Sequence, residues 1–324
     1  MTAHLPKVEL HCHFEGTISP ELMQKIAQRN KMDIPQLTVN ADGQYVWKNF
    51  IEFLEAYDKA SSVIKTQQDY RDIAYSYLTA AAREGAIYVE MFTSPDHASE
   101  IGMSYTAMNE GIAQGIDDAE RECGVVGRMI ATCVRHLGPE RAVKVAKTVA
   151  ANPHPYVIGF GMGGDESQHT PLDFGPAFDL AFTAGLPCTS HAGEVLGAGG
   201  VEDTLDALPV VRIGHGVRAI EDAGLIERIV EEGIVLEVCP GSNLALGVYE
   251  NPAQHPLKRL LDAGCKVTLG SDDPPFFQTS IGKEYQLAQT EFELSEDQLM
   301  GITQTAIDAA FVDDETKARL REKL

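Results

Sequence analysis

Short apolar and β-branched runs alternate with amphipathic stretches along most of the chain, most regularly beyond residue 86. Eight runs read as strand cores, at 8–11, 87–92, 126–131, 157–160, 187–191, 211–215, 234–238 and 266–271. Between them apolar residues recur three and four apart, as in Tyr105, Met108, Ile112, Ile116 and Ala119, or Leu257, Leu260 and Leu261. That spacing lets a helix lay one stripe on a sheet. Strands joined by helical crossovers run parallel, and eight of them suit a (β/α)8 TIM barrel. A doubly wound dinucleotide-binding sheet would carry a Gly-x-Gly-x-x-Gly turn after an early strand, and none follows the first three strand runs.

One interval breaks the rhythm. Residues 17–85 separate the first two strands, far more than a βα loop needs, with helical spacing at 20–29 and at Phe50, Phe53, Leu54 and Tyr57. The organisation expected is one (β/α)8 barrel domain over residues 1–324, with a helical lid insertion over 17–85. Because the insertion leaves the first strand at its C-terminal end, Phe50 and Phe53 are expected to form an apolar gate over that end. On this reading Phe53 could be truncated with little loss of stability. The charged stretch 313–324 reads as a solvated terminal helix.

Charge narrows the partners. With 26 Lys and Arg against 48 Asp and Glu the net charge is −22, which repels phosphate backbones and anionic membranes, and no basic stripe offsets it. Nucleic acid and membrane are therefore not expected partners. The N-terminal segment has no secretory pattern and no apolar run reaches the ~20 residues of a membrane span, so a cytoplasmic protein is expected. Six cysteines lie scattered without a Cys-x-x-Cys pair, which favours free, mostly buried thiols.

In such a barrel the chemistry collects where strands end and βα loops converge. The first strand ends His11-Cys12-His13, and alternation sends both imidazoles to the barrel axis. The fifth ends at His191 and the eighth at Asp272. Three neutral nitrogens and one carboxylate suit a catalytic Zn²⁺ with one open position. A second metal would need a bridging group such as a lysine at the end of strand four, where the sequence is Gly159-Phe160-Gly161-Met162-Gly163-Gly164-Asp165-Glu166. One Zn²⁺ per chain is expected. Gly164 would let a flat ligand approach the backbone. Glu194, three residues past a ligand, is placed to exchange protons without occupying the metal, and His215, between two glycines at the end of strand six, is assigned to electrostatics beside it. His4, His136, His154, His169 and His255 read as structural or solvated, and His97 as a loop histidine that need not face the site.

These residues carry a resemblance. The segments Pro6 to Gly16, His191-Ala192-Gly193-Glu194, Arg212-Ile213-Gly214-His215-Gly216 and Ser271-Asp272-Asp273-Pro274 resemble, in order, the motifs of the adenosine deaminase family. The resemblance implies a zinc barrel that hydrolyses the exocyclic amine of a 6-aminopurine, with a small purine nucleoside or base as partner. It implies His11, His13, His191 and Asp272 as metal ligands, Glu194 as proton donor and His215 beside the metal. It also implies that His13, Glu15, Gly164 and Asp273 face the substrate. Adenosine and 2′-deoxyadenosine are the substrates expected first, since Gly163-Gly164-Asp165-Glu166 resembles the nucleoside branch. Adenine, or another 6-aminopurine nucleoside, is the alternative, because Glu15 stands where nucleoside-cleaving members commonly carry Asp.

Overall fold

The computed structural model describes residues 2, 4–33 and 39–324. Its eight strands are β1 (Lys7–His13), β2 (Ala86–Thr93), β3 (Val126–Val134), β4 (Val157–Gly163), β5 (Cys188–Ala192), β6 (Val210–His215), β7 (Val235–Val238) and β8 (Lys266–Leu269). They pair in parallel in chain order. Just past β8 the ring closes on β1, where Asp272 N–H donates to His11 O at 3.1 Å and His13 N–H to Asp272 O at 2.9 Å. The expected TIM barrel is the fold observed.

Apolar side chains fill the N-terminal end of the barrel, where Val8 and Leu10 pack with Tyr88, Val126, Ala306 and Ile307. Further along, the interior differs from an apolar barrel core: Glu90, Arg212 and Glu237, each flanked by apolar neighbours in its strand, are all buried, while buried Glu9 accepts from Tyr77 on the helical side. Such groups survive burial only when paired and hydrogen-bonded. Arg212 answers this by reaching Glu90 at 2.8 Å and Glu237 at 2.6 Å, donating to Ala309 O at 3.1 Å, and lying 3.7 Å from the ring centre of Phe311.

Among the described residues between β1 and β2 are three α-helices: α1 (Pro20–Arg29), α2 (Phe50–Ser61) and α3 (Gln67–Arg83). Thr66 and Asp69 form a capping box that starts α3, and Asp69 also accepts from Arg29 and Asn30, which ties α1 to α3. The last helix, Asp314–Arg321, is less solvated than its charge implies. Leu320 is buried against Val8 and Leu10, so the tail caps the N-terminal end of the barrel. Five of the six cysteines are buried and all are free. Among the described residues no helix is long and apolar enough to cross a membrane.

Candidate active site at the C-terminal end of the barrel

His11 and His13 both face the axis, as their alternation predicts, although the register against β2 is irregular between Glu9 and Cys12. His13 Nε2 lies 3.1 Å from His191 Nε2 and 3.3 Å from Asp272 Oδ1, and His11 Nε2 lies 3.5 Å from the same oxygen. Donor atoms of His11, His191, His215 and Asp272 all fall within 4.8 Å of one another. Five polar side chains from β1, β5, β6 and the end of β8 thus converge on one point. His215 (φ 60°) and Asp272 (φ 63°) hold left-handed backbones, a strain that persists in non-glycine residues where surrounding structure enforces it.

The outer hydrogen bonds sort these imidazoles by tautomer. His11 Nδ1 faces Glu237 Oε2 at 2.8 Å and His191 Nδ1 faces Met162 O at 2.9 Å. Both partners accept only, so each Nδ1 carries the proton and each Nε2 presents a lone pair. His215 is the opposite case. Asn243 Oδ1 lies 3.2 Å from His255 Nε2 and Asn243 Nδ2 lies 3.2 Å from His215 Nδ1, which makes Asn243 the donor to His215 and leaves the proton on His215 Nε2. His11 and His191 are therefore prepared to bind a cation, and His215 to donate a hydrogen bond.

Burial opposes protonation of His11, yet Asp272 and Glu237 outweigh it and push its pKa up to about 9 in the absence of a cation, so a cation entering the site would take the place of the Nε2 proton. Burial, then the neighbouring imidazoles, drives His191 well below the ordinary range, and burial takes His215 down to about 3. Burial works against ionised Asp272, but the imidazoles of His11 and His13, 3.5 and 3.3 Å from its Oδ1, hold it well below the usual carboxylate range. Ser242 Oγ donates to Asp272 Oδ2 at 2.6 Å, while Glu9 accepts from Ser271 N–H at 2.9 Å and fixes the residue before it. The donor set fits a metal. His11 Nε2 is buried and makes no hydrogen bond among the described residues, an orphan that a cation would satisfy.

Glu194 and Asp273 complete the cavity wall. Burial, followed by the charges of Asp272 and Glu166, pushes Glu194 well above the carboxylate range, and His215 Nε2 lies 3.7 Å from its Oε2. Asp273 is raised in the same way by burial, Asp272 and Glu194, and its buried Oδ1 makes no hydrogen bond among the described residues. Gly16 leaves room for it, since a Cβ there would fall 1.7 Å from that oxygen. Gly164 (φ +100°) also lines the cavity. Glu15 is buried, accepts from Ser94 N–H at 3.2 Å and faces Tyr57 OH at 3.5 Å. His97, read from sequence as a loop residue, stands 3.9 Å from Glu15 in the cavity wall, and His136, exposed as expected, sits at the edge of the same cavity.

Helix α2 borders the cavity through Phe50, Phe53, Leu54 and Tyr57. Phe53 departs from the expectation of a dispensable gate. It is 5% exposed and packs on Trp47, Phe276 and Phe277, so it belongs to the core as well as to the wall. Phe50 is half-buried. Sequence reasoning also missed Glu237, Asn243 and Glu166, which act on the site from behind.

A parallel barrel with imidazoles and a carboxylate gathered at its C-terminal strand ends defines the class of metal-dependent barrel hydrolases. The sequence model of the adenosine deaminase family matches residues 6–324, and the chain belongs to that family. It is 48% identical to an adenine deaminase of Rhizobium rhizogenes over 324 residues, all of both chains. The crystal structure of an adenine deaminase from Arthrobacter aurescens superposes with a TM-score of 0.92 at 31% identity, covering 98% of this chain and 97% of that one. A zinc-bound amidohydrolase from Burkholderia ambifaria gives 0.89 at 29% identity, covering 98% and 89%.

Proposed function

We propose that this protein is a zinc-dependent aminohydrolase that converts adenine and water to hypoxanthine and ammonia. The observation that carries the reading is the sorted set of tautomers: His11 and His191 present lone pairs beside His13 and Asp272, while His215 and a buried, proton-holding Glu194 stand next to them. His11, His13, His191 and Asp272 would hold one Zn²⁺ per chain. When bound, such an ion supplies a nucleophilic water at neutral pH.

The protein's own groups do the rest. Glu194, protonated because it is buried near other carboxylates, donates to ring N1 and makes C6 electrophilic. Asp272 and the Nε2–H of His215 flank the oxygen that adds to C6 and stabilise the charge that develops. The N1 proton stays on hypoxanthine; of the two protons of the attacking water, one passes by way of Asp272 to the exocyclic nitrogen, which leaves as ammonia, and the other restores Glu194. Asp273, also kept protonated, bonds the imidazole side of the purine, whose flat face lies against Gly164. Helix α2 serves as the lid, with Phe50, Leu54 and Tyr57 excluding bulk water over the base.

Sequence motifs alone favour adenosine, whereas full-length relatives named adenine deaminase favour the free base. Glu15 supports the base: adenine carries an imidazole N–H where adenosine carries ribose, and a buried carboxyl on the cavity wall supplies an acceptor for it. Ammonia release from adenine, adenosine and 2′-deoxyadenosine by zinc-loaded protein tests the proposal. The kcat/KM for adenine should exceed that for either nucleoside by about 10²-fold or more, as expected when a buried acceptor reads the missing N–H. Glu194→Gln should keep its zinc and lose about 10²-fold or more in kcat. Preference for a nucleoside would return the substrate to adenosine, and a zinc-free active protein would overturn the metal reading.

A further inference from the structure

One buried carboxylate beside the site has been given no role beyond the charge with which it helps keep Glu194 protonated. Glu166, just past β4, is 1% exposed and is not among the described residues that line the cavity. Its acceptor contacts go to a single loop. Oε1 accepts from the backbone N–H of Glu194 at 3.2 Å, and Oε2 from those of Val195 and Leu196 at 2.8 Å each. Three consecutive amides converge on one anion only when the chain folds around it, and charge-assisted bonds of this kind are stiffer than neutral ones.

The turn carrying Glu166 is itself held, because Arg135 donates to Gln168 O at 2.8 Å and to His169 O at 3.0 Å. From the other side, Arg218 N–H donates to Gly193 O at 2.9 Å, and the Arg218 guanidinium donates to Val195 O. Gly193 adopts φ +71°, and a Cβ there would lie 2.4 Å from Val201, so no bulkier residue could make this turn. The peptide units before and after Glu194 are thus clamped from β4 on one side and from the segment after β6 on the other.

We infer that Glu166 is a positioning residue for Glu194: by gathering the amides of residues 194–196 it fixes the backbone from which the proton donor projects, and so sets the aim of that carboxyl without touching substrate. The inference rests on the proposed role of Glu194. A donor displaced by about 1 Å can cost about 10²-fold in rate while binding is kept.

The test compares Glu166→Ala, Glu166→Gln and Glu194→Gln, all zinc-loaded, with adenine as substrate. Glu166→Ala should lose about 30- to 100-fold in kcat, with KM and zinc content within about threefold of the unaltered protein. Glu166→Gln should fall between, because its amide oxygen can keep the Val195 and Leu196 bonds while its NH₂ opposes the Glu194 N–H. Amide exchange at Val195 and Leu196 should rise in the same order. A kcat within about twofold of normal in Glu166→Ala, or a deficit wholly explained by KM or lost zinc, overturns the inference. Should Glu166→Ala fail to fold, Glu166→Gln decides alone: kcat lowered about fivefold or more at unchanged KM supports it, and normal kcat overturns it. Near-normal turnover in Glu194→Gln would instead sink the proton-donor role, a failure distinct from an inactive Glu194→Gln beside a fully active Glu166→Ala.

Discussion

Replacing Arg212 with methionine should cost the folded state roughly 3–5 kcal/mol, the usual loss when one partner of a buried ion cluster is removed. Methionine can still cover Phe311, against which the guanidinium now lies at 3.7 Å, so packing is a minor part of the loss. The larger part is Glu90 and Glu237, left facing each other in the barrel without their shared cation. Remaining bonds soften this. Glu90 keeps Tyr88 OH at 2.8 Å and Phe311 N–H at 2.8 Å, and Glu237 keeps His11 at 2.8 Å and Thr189 at 3.1 Å, which points to the lower end of the range. With an unfolding entropy of about 0.7 kcal/mol/K for a chain of this length, the midpoint should fall by roughly 4–7 °C. Thermal and urea unfolding should be followed with chelator present, because a bound ion adds stability of its own. Burial alone would raise Glu237, but Arg212 and His11 hold it below its ordinary value. A depressed carboxyl stabilises the fold above its unfolded pKa of 4.5 and loses that contribution as pH falls, so the gap between the two proteins should be full above about pH 4.5 and close below it. Zinc affinity should also drop by about tenfold as Glu237 loosens its hold on His11. A variant within about 1 kcal/mol of the parent at every pH would refute the reasoning, since the cluster would then contribute neither stability nor metal orientation.

Phe50→Ala should raise KM while leaving the thermal midpoint within about 2 °C, whereas Phe53→Ala should raise KM and also cost about 3 kcal/mol, the low end for a buried Phe; steady-state kinetics with calorimetry would separate them, and equal stability losses would refute the distinction. Glu284 is buried, accepts from Gly241 N–H at 2.9 Å, and is pushed by burial up to about 7. The folded protein therefore keeps this proton longer than the unfolded chain does, and stability falls as pH rises from about 4.5 to about 7. Relative to the parent, Glu284→Gln should gain on the order of 3 kcal/mol over that window, and a flat difference between pH 5 and 8 would rule the titration out.

The order of the elements was legible because barrel strands buried on both faces announce themselves as apolar runs, and the convergence of His11, His13, His191 and Asp272 follows once those strands are placed in a ring. The groups behind the site were not, since Glu237 with His11, Glu166 with residue 194, and Asn243 with His215 meet only through tertiary closure. A partial signal did exist for some of them. Glu9, Glu90, Arg212 and Glu237 are charged residues in the middle of apolar strands, where burial requires a partner elsewhere. Helical spacing of Phe50 and Phe53 located α2 correctly, but spacing cannot separate a cavity wall from a core when one side chain belongs to both.

Closure of the ring between β1 and the residues after β8 has a kinetic consequence. The proposed ligands His11 and His13 sit on one lip of that closure and Asp272 on the other, joined by the paired backbone bonds of residues 11, 13 and 272. These partners are about 260 residues apart in sequence, so their meeting carries one of the larger loop-closure entropies in the fold and belongs among the slower steps of folding. Ion capture would then be a report on topology. A chain with seven strands assembled and the last still loose would have strong local structure and no complete binding site, and an ion, once bound, would act as a latch on the first and last strands together. Release of the ion and parting of the barrel wall would be two views of one event.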